Sequence, residues 1–362
     1  MLTAEEARRC RRGKIDLHFC QACGFIFNAA FEPTALDHTP QYEEILGFPQ
    51  TLGRFDETLA ADLVKRFNLY GKEVIEIGCG NGTFLNLLCR YGHNRGWGFD
   101  PAYSESADCG ETDDRIIFIQ DHFSNRYRNF DAHFVCCKMT LEHIADVRAF
   151  LTAARKLARP SGDTVYFFLV PEISKILGRF SFWEIHYPHC SYFNSGSLSR
   201  LFANCGYAVL DTWTDYEDRY LMITATPAKA ASRLETVQAS DVRSLHERTA
   251  AFPVGAAKSV AHWTRKICNL AEQGKRIVLW GAGAKTVSFL TALGLSKELD
   301  YVVDLNPHRD GKYIPATGHQ IFGPRQLLHR KPDYVVATNS VFQDEIAMTL
   351  GAMELRPQIM IL

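Results

Sequence analysis

A chain of 362 residues exceeds one average domain, so two or three are expected. Hydrophobic residues at 46% and charged residues at 22% suit soluble folded cores, and a formal net charge of -1 supplies no strong field for nucleic acid or a membrane surface. The opening Met-Leu-Thr-Ala-Glu-Glu-Ala-Arg-Arg-Cys has no apolar signal core, no apolar run is long enough to span a bilayer, and 11 cysteines do not suggest a disulfide framework, so a reduced, cytoplasmic protein with no nucleic-acid or membrane partner is expected.

Residues 1–45 form the first unit. Cys20-Gln-Ala-Cys23-Gly24 has the form of a zinc-ribbon knuckle, in which the glycine lets backbone amides approach the thiolates. A structural Zn2+ takes four ligands, and Cys10 is the further cysteine of the segment, with His18 at poor spacing. Two readings stay open: a partial zinc site built from Cys20, Cys23 and Cys10, or a degenerate knuckle held by Phe25 and Phe27.

Residues 46–226 read as an α/β domain. Leu52, Phe55, Leu59, Leu63 and Phe67 recur at helical spacing. Short apolar runs then alternate with helical patterns, and 74–77, 96–99, 116–119, 133–137 and 164–170 are the strand candidates of a parallel sheet. The first of them feeds Gly78-Cys-Gly-Asn-Gly82, where glycine allows a tight turn and close approach to a ligand. Glu76 lies just before the turn and would repel a pyrophosphate, whereas a ligand carrying an ammonium group suits it. Asp100 ends the next strand, where an acid can accept from ribose hydroxyls. Asp121 and His122 follow the third strand, and Lys138 ends the fourth, ahead of Leu141-Glu-His-Ile144.

The stretch Phe182-Trp-Glu-Ile-His-Tyr-Pro-His-Cys-Ser-Tyr-Phe-Asn194 gathers titratable and aromatic groups outside any regular period, which points to chemistry on a loop. His189, His186 and Tyr187 are its candidate proton-transfer groups, and His143 is a weaker candidate. A helix capped at its start and ended at Gly206 follows.

Residues 227–273 read as a helical linker, and 274–362 as a second, smaller α/β unit. Its strand 277–280 leads into Gly281-Ala-Gly283-Ala-Lys285, with Asp304 one strand later. The third glycine of a dinucleotide turn is replaced by Thr286, which weakens a nicotinamide reading. A phosphate on the helix start beside Lys285, or a purely structural or dimerising role, are the alternatives.

The glycine turn with Glu76, Asp100 and Asp121 resembles the class I S-adenosylmethionine-dependent methyltransferases. That resemblance implies a class I Rossmann-like sheet, with Glu76, Gly78, Gly80 and Gly82 under the methionine portion of S-adenosylmethionine. It also puts Asp100 on the ribose, Asp121 with His122 at the adenine, and Lys138 lining the sulfonium pocket. The layout of cysteine-pair segment, methyltransferase domain, helical linker and C-terminal Rossmann-like unit is similar to that of the sugar C-methyltransferases. In that family His189 would be the base and Tyr187 or His186 the neighbouring acid, Tyr192 would border the substrate, and proline stands at 188 where the family has glutamate. Lys285, Asp304, Asn306 and Asn339 would hold the nucleotide part of a nucleotide sugar, with a homodimer as the candidate assembly. C-methylation of a keto-sugar through an enolate is the implied reaction. O- or N-methylation of another metabolite, or a non-catalytic cofactor-fold subunit, are the competing readings.

Overall fold

The computed structural model describes residues 3–35, 50–104, 113–228, 239–295 and 297–362. It opens with helix α1 (Ala4–Arg9), whose Thr3 hydroxyl accepts from the Glu6 amide while the Glu6 carboxylate accepts from the Thr3 amide. Strands β1 (Leu17–Phe19) and β2 (Ile26–Asn28) form an antiparallel hairpin around the Cys20–Cys23 knuckle.

Helix α2 (Gln50–Arg66) buries Leu59, Ala60, Leu63 and Val64 beside the main sheet. The sheet's first five strands are β3 (Glu73–Ile77), β4 (Arg95–Phe99), β5 (Ile116–Ile119), β6 (Phe134–Lys138) and β7 (Val165–Pro171). Helices α3 (Thr83–Gly92) and α4 (Val147–Ala154) follow β3 and β6. These strands lie within a residue or two of the runs expected from the sequence. They read clearly because a parallel strand covered on both faces is apolar almost throughout, as in Val74, Ile75 and Ile77.

After β7 come α5 (Ile173–Arg179), the short strand β8 (Ser191–Tyr192), α6 (Ser195–Asn204), β9 (Tyr207–Asp215) and β10 (Tyr220–Pro227). The strand order is β5-β4-β3-β6-β7-β10-β9, with β10 antiparallel to both neighbours. The β9–β10 hairpin has only a half-buried β9, so its pattern lacks the continuous apolar run that marks the other strands.

The cysteine hairpin does not stand apart from this domain. Strand β2 pairs with β8, matching Ile26 to Tyr192, and the Asn28 amide donates to Cys190 O at 2.9 Å. A single three-stranded sheet therefore joins the N-terminal segment to the loop that holds the histidines.

Helix α7 (Ala239–Glu272) crosses to the second unit, burying Leu245, Trp263 and Ile267. That unit contains β11 (Ile277–Trp280), α8 (Ala284–Leu293), β12 (Tyr301–Val303), β13 (Ile321–Phe322), β14 (Tyr334–Ala337), α9 (Gln343–Ala352) and β15 (Gln358–Ile361). Its sheet is parallel throughout, in the order β13-β12-β11-β14-β15. Phe182 and Trp183, at the head of the histidine loop, pack into its core against Phe289. Among the described residues, no helix is long and apolar enough to cross a membrane.

Candidate active site

The glycine turn sits at the carboxyl end of β3. Gly78, Gly80 and Gly82 all have positive φ, at 74°, 55° and 83°. A Cβ on Gly78 would fall 2.0 Å from Thr140 Oγ1, and one on Gly82 would meet the Phe118 ring at 2.4 Å. Both positions therefore need glycine for space as well as for backbone angle. Asp100 braces the turn: Oδ2 accepts from the Gly80 amide at 3.0 Å and Oδ1 from the Ala102 amide at 2.8 Å.

Glu76 is 1% exposed, and its Oε2 has no hydrogen-bond partner. Burial pushes its pKa up to about 8, against the pull of Lys138. An orphaned acid under a glycine cradle fits the ammonium of S-adenosylmethionine. Lys138 itself bonds Asp56 on α2, at 2.9 and 3.0 Å from the two carboxylate oxygens. Asp56 was not singled out in the sequence, because 82 residues separate it from its partner. The Asp121 carboxylate is engaged by Tyr127 and Arg126, and His122 is exposed. An adenine contact from Asp121 would therefore have to compete with those two side chains.

The histidine loop is pinned to the segment after β6. The Cys190 amide donates to Glu142 O at 2.9 Å, and His143 Nδ1 lies 2.9 Å from Pro188 O. His186 Nε2 and His189 Nε2 are 3.0 Å apart, so one must carry a proton and the other accept it. Burial holds both rings below the ordinary histidine pKa, which keeps the pair neutral in the resting protein. Tyr192 is buried beside them, its hydroxyl donating to His186 O at 3.4 Å.

Tyr187 turns the other way, which corrects its expected place as the acid beside the base. Its hydroxyl accepts from the Glu32 amide at 2.8 Å, donates to Glu32 O at 3.2 Å, and its ring lies against Phe31. Pro188, between two histidines that face each other, leaves Tyr187 on the opposite side of the loop.

Lys285 is likewise already engaged. Its Nζ lies 2.7 Å from Glu184 Oε2, and Glu184 Oε1 accepts from Arg219 at 2.8 Å. Burial would raise the Glu184 pKa, but the two cations outweigh it and hold the carboxyl below its usual value. Asp304 accepts from the Ala282 and Asn306 amides and from Arg309, repeating the bracing that Asp100 gives the first turn. Asn306 and Asn339 accept from the His308 and Val341 amides, so both cap short turns. Asp304, Asn306 and Asn339 thus brace turns of the second unit, and Lys285 ties that unit to the histidine loop.

The cysteines do not assemble as a metal site among the described residues. Cys20 and Cys23 hydrogen-bond to each other, while Cys10 Sγ accepts from the Ala316 amide of the second unit at 3.3 Å. Cys10 is thus not brought together with Cys20 and Cys23, and none of the three belongs to a metal-capable group of three among the described residues.

The seven-stranded order with one antiparallel strand, and the glycine turn braced by Asp100, define a class I methyltransferase fold. Residues 52–212 match the methyltransferase domain family, and residues 223–357 match the C-methyltransferase C-terminal domain family. The chain therefore joins a methyltransferase domain to a C-methyltransferase C-terminal domain. It is 29% identical over 280 residues to the C-methyltransferase NovU of Streptomyces niveus, covering 73% of this chain and 65% of that protein. It is 24% identical over 156 residues to the ubiquinone biosynthesis O-methyltransferase of Escherichia coli O157:H7, covering 37% of this chain and 64% of that one. The chain thus spans just under two thirds of the length of these relatives. The magnesium protoporphyrin IX methyltransferase of Synechocystis PCC 6803, solved with S-adenosylhomocysteine, overlays 49% of this chain and 84% of its own at 16% identity, with a TM-score of 0.38.

Proposed function

We propose that this protein C-methylates a nucleotide-linked keto-sugar, taking the methyl group from S-adenosylmethionine. The observation that carries this reading is the buried His186–His189 pair, a neutral proton acceptor tied to the segment that follows the cofactor sheet's β6. A carbon beside a ketone must lose a proton before it can attack, and a hydroxyl oxygen also gains from a base, whereas an amine nitrogen with a lone pair needs little help.

S-adenosylmethionine over the glycine turn would supply an electrophilic methyl group. Glu76, Gly78, Gly80, Gly82 and Asp100 would hold it, with Lys138 and Asp56 bordering the methionine end. The histidine pair takes the proton from the acceptor carbon, and the electron pair left behind becomes an enolate whose carbon attacks the methyl group. Tyr192, whose ring centroid lies 6.2 Å from that of His189, would help keep the pair out of water. The first turn of α8, which has no side-chain cap at Gly283, offers backbone amides to a substrate phosphate. Lys285 would contribute there only by sharing its charge with Glu184.

The test is two measurements on one variant. His189→Ala should abolish turnover while calorimetric titration with S-adenosylhomocysteine stays close to wild type. Wild-type protein should also exchange the acceptor C–H for deuterium in heavy water. Unimpaired turnover in the variant, or methylation with no such exchange, would overturn the carbon-acid reading.

A further inference from the structure

One acid beneath the histidine loop has no explanation in the fold. Glu142 is 1% exposed, and neither Oε1 nor Oε2 has a hydrogen-bond partner. Its main chain is accounted for, because its carbonyl accepts from the Cys190 amide and fastens the loop. The side chain is not. An apolar residue would fill the space without leaving a carboxyl group unpaired in the interior.

Two imidazoles converge on it. One ligand-capable atom each from Glu142, His143 and His189 lies within 4.8 Å of the others, and among the described residues this is the group of three with that geometry. The His143 tautomer follows from its neighbour. A carbonyl can only accept, so the 2.9 Å contact with Pro188 O puts the proton on Nδ1 and the lone pair on Nε2. An outer N–H held by a backbone carbonyl is how metal-binding imidazoles are usually oriented. The His143 and His189 rings cross at 84°, with centroids 4.8 Å apart, so they meet edge to face rather than stacked.

We propose that Glu142, His143 and His189 bind a divalent first-row transition-metal ion. Two nitrogens and one oxygen suit Zn2+, Co2+, Fe2+ or Mn2+, whereas Mg2+ and Ca2+ favour oxygen ligands. Three protein ligands leave a coordination position open. The binding of the ion stands apart from the C-methylation reading, but its purpose rests on that reading. The open position takes the keto oxygen of the acceptor, and the ion's charge stabilises the enolate. With Nδ1 of His189 on the ion, its Nε2–H donates to His186 Nε2, so His186 would take the proton leaving the acceptor carbon only once that hydrogen bond opens, while the electron pair of the broken C–H bond stays on the enolate.

The experiment is a titration of the chelator-stripped full-length protein with Co2+, free of substrate and followed by visible absorption. One equivalent should bind with a ligand-field spectrum lacking thiolate-to-cobalt charge transfer, and a Cys20→Ser, Cys23→Ser variant should bind equally well. Glu142→Gln and His143→Gln should each weaken binding by at least about tenfold. S-adenosylhomocysteine titration shows whether each variant is folded, and if Glu142→Gln is not, His143→Gln carries the test. No cobalt uptake, a thiolate band lost in the cysteine variant, or unchanged affinity in both site variants would overturn the proposal. Because cobalt is read without substrate and deuterium exchange without cobalt uptake, failure of the site and failure of the reaction are told apart.

Discussion

Replacing Glu76 by glutamine removes an acid that costs the cofactor-free protein stability. Burial raises its pKa from 4.5 to about 8. Between those values the folded chain keeps a proton that the unfolded chain has lost, so stability falls as pH climbs through that window. At pH 7 the unfolded glutamate is about 2.5 units above its pKa, which at about 1.36 kcal/mol per unit amounts to roughly 3 kcal/mol at most. Glutamine has the shape of the neutral acid and no proton to lose. Thermal melting of cofactor-free protein at neutral pH should therefore show Glu76→Gln above wild type by several degrees, with the gap closing toward pH 5. S-adenosylhomocysteine should reverse the ranking, because its ammonium pairs with a carboxylate and not with an amide. A variant that melts below wild type at pH 7, or a gap that does not change with pH, would refute the reasoning.

Gly78→Ala should weaken S-adenosylhomocysteine binding at least about tenfold by calorimetry and lower stability by about 1–3 kcal/mol, because it combines a φ of 74° with a contact on Thr140. Unchanged affinity would mean that the turn is not the cofactor's seat. Glu184→Ala leaves Arg219 and Lys285 facing each other without their shared carboxylate, at a cost of about 3–5 kcal/mol. Scanning calorimetry should then show the second unit melting as a separate, earlier transition, and an unaltered trace would contradict the assigned coupling. Tyr187→Phe should keep turnover within about twofold, since among the described residues its hydroxyl bonds the Glu32 main chain at an exposed site, worth about 1 kcal/mol. A drop of several hundredfold would restore it as a proton donor.

What could be read in the sequence was what neighbouring residues settle among themselves. The glycine turn, Glu76 and Asp100 lie on one strand–turn–helix–strand stretch, so their spacing carries the geometry. The histidine loop declared itself by density alone, but not by direction. Tyr187 looked like the partner of His189 until its hydroxyl was found on Glu32, 155 residues away. Lys285 looked like a phosphate ligand because it opens a helix, and nothing nearby in sequence marks Glu184 as its counter-ion. Glu142 was visible as a letter in Leu-Glu-His-Ile, but its lack of any partner is a property of the folded interior. The neighbour of Cys10 was hidden for the same reason, since Ala316 belongs to the far end of the chain.

The three-way anchoring of the histidine loop also sets an order of events during synthesis. Strand β2 is made long before β8, so the C-terminal side of the loop has its partner waiting when residues 191–192 emerge. The other side does not: the Ile185 carbonyl waits for Ser288 Oγ, 103 residues later, and Glu184 for Lys285. A chain growing from its N terminus can complete the seven-stranded sheet, and with it the glycine turn, before either contact exists. On the proposed function, the growing chain would be able to hold a methyl donor well before its histidine pair is fixed in place.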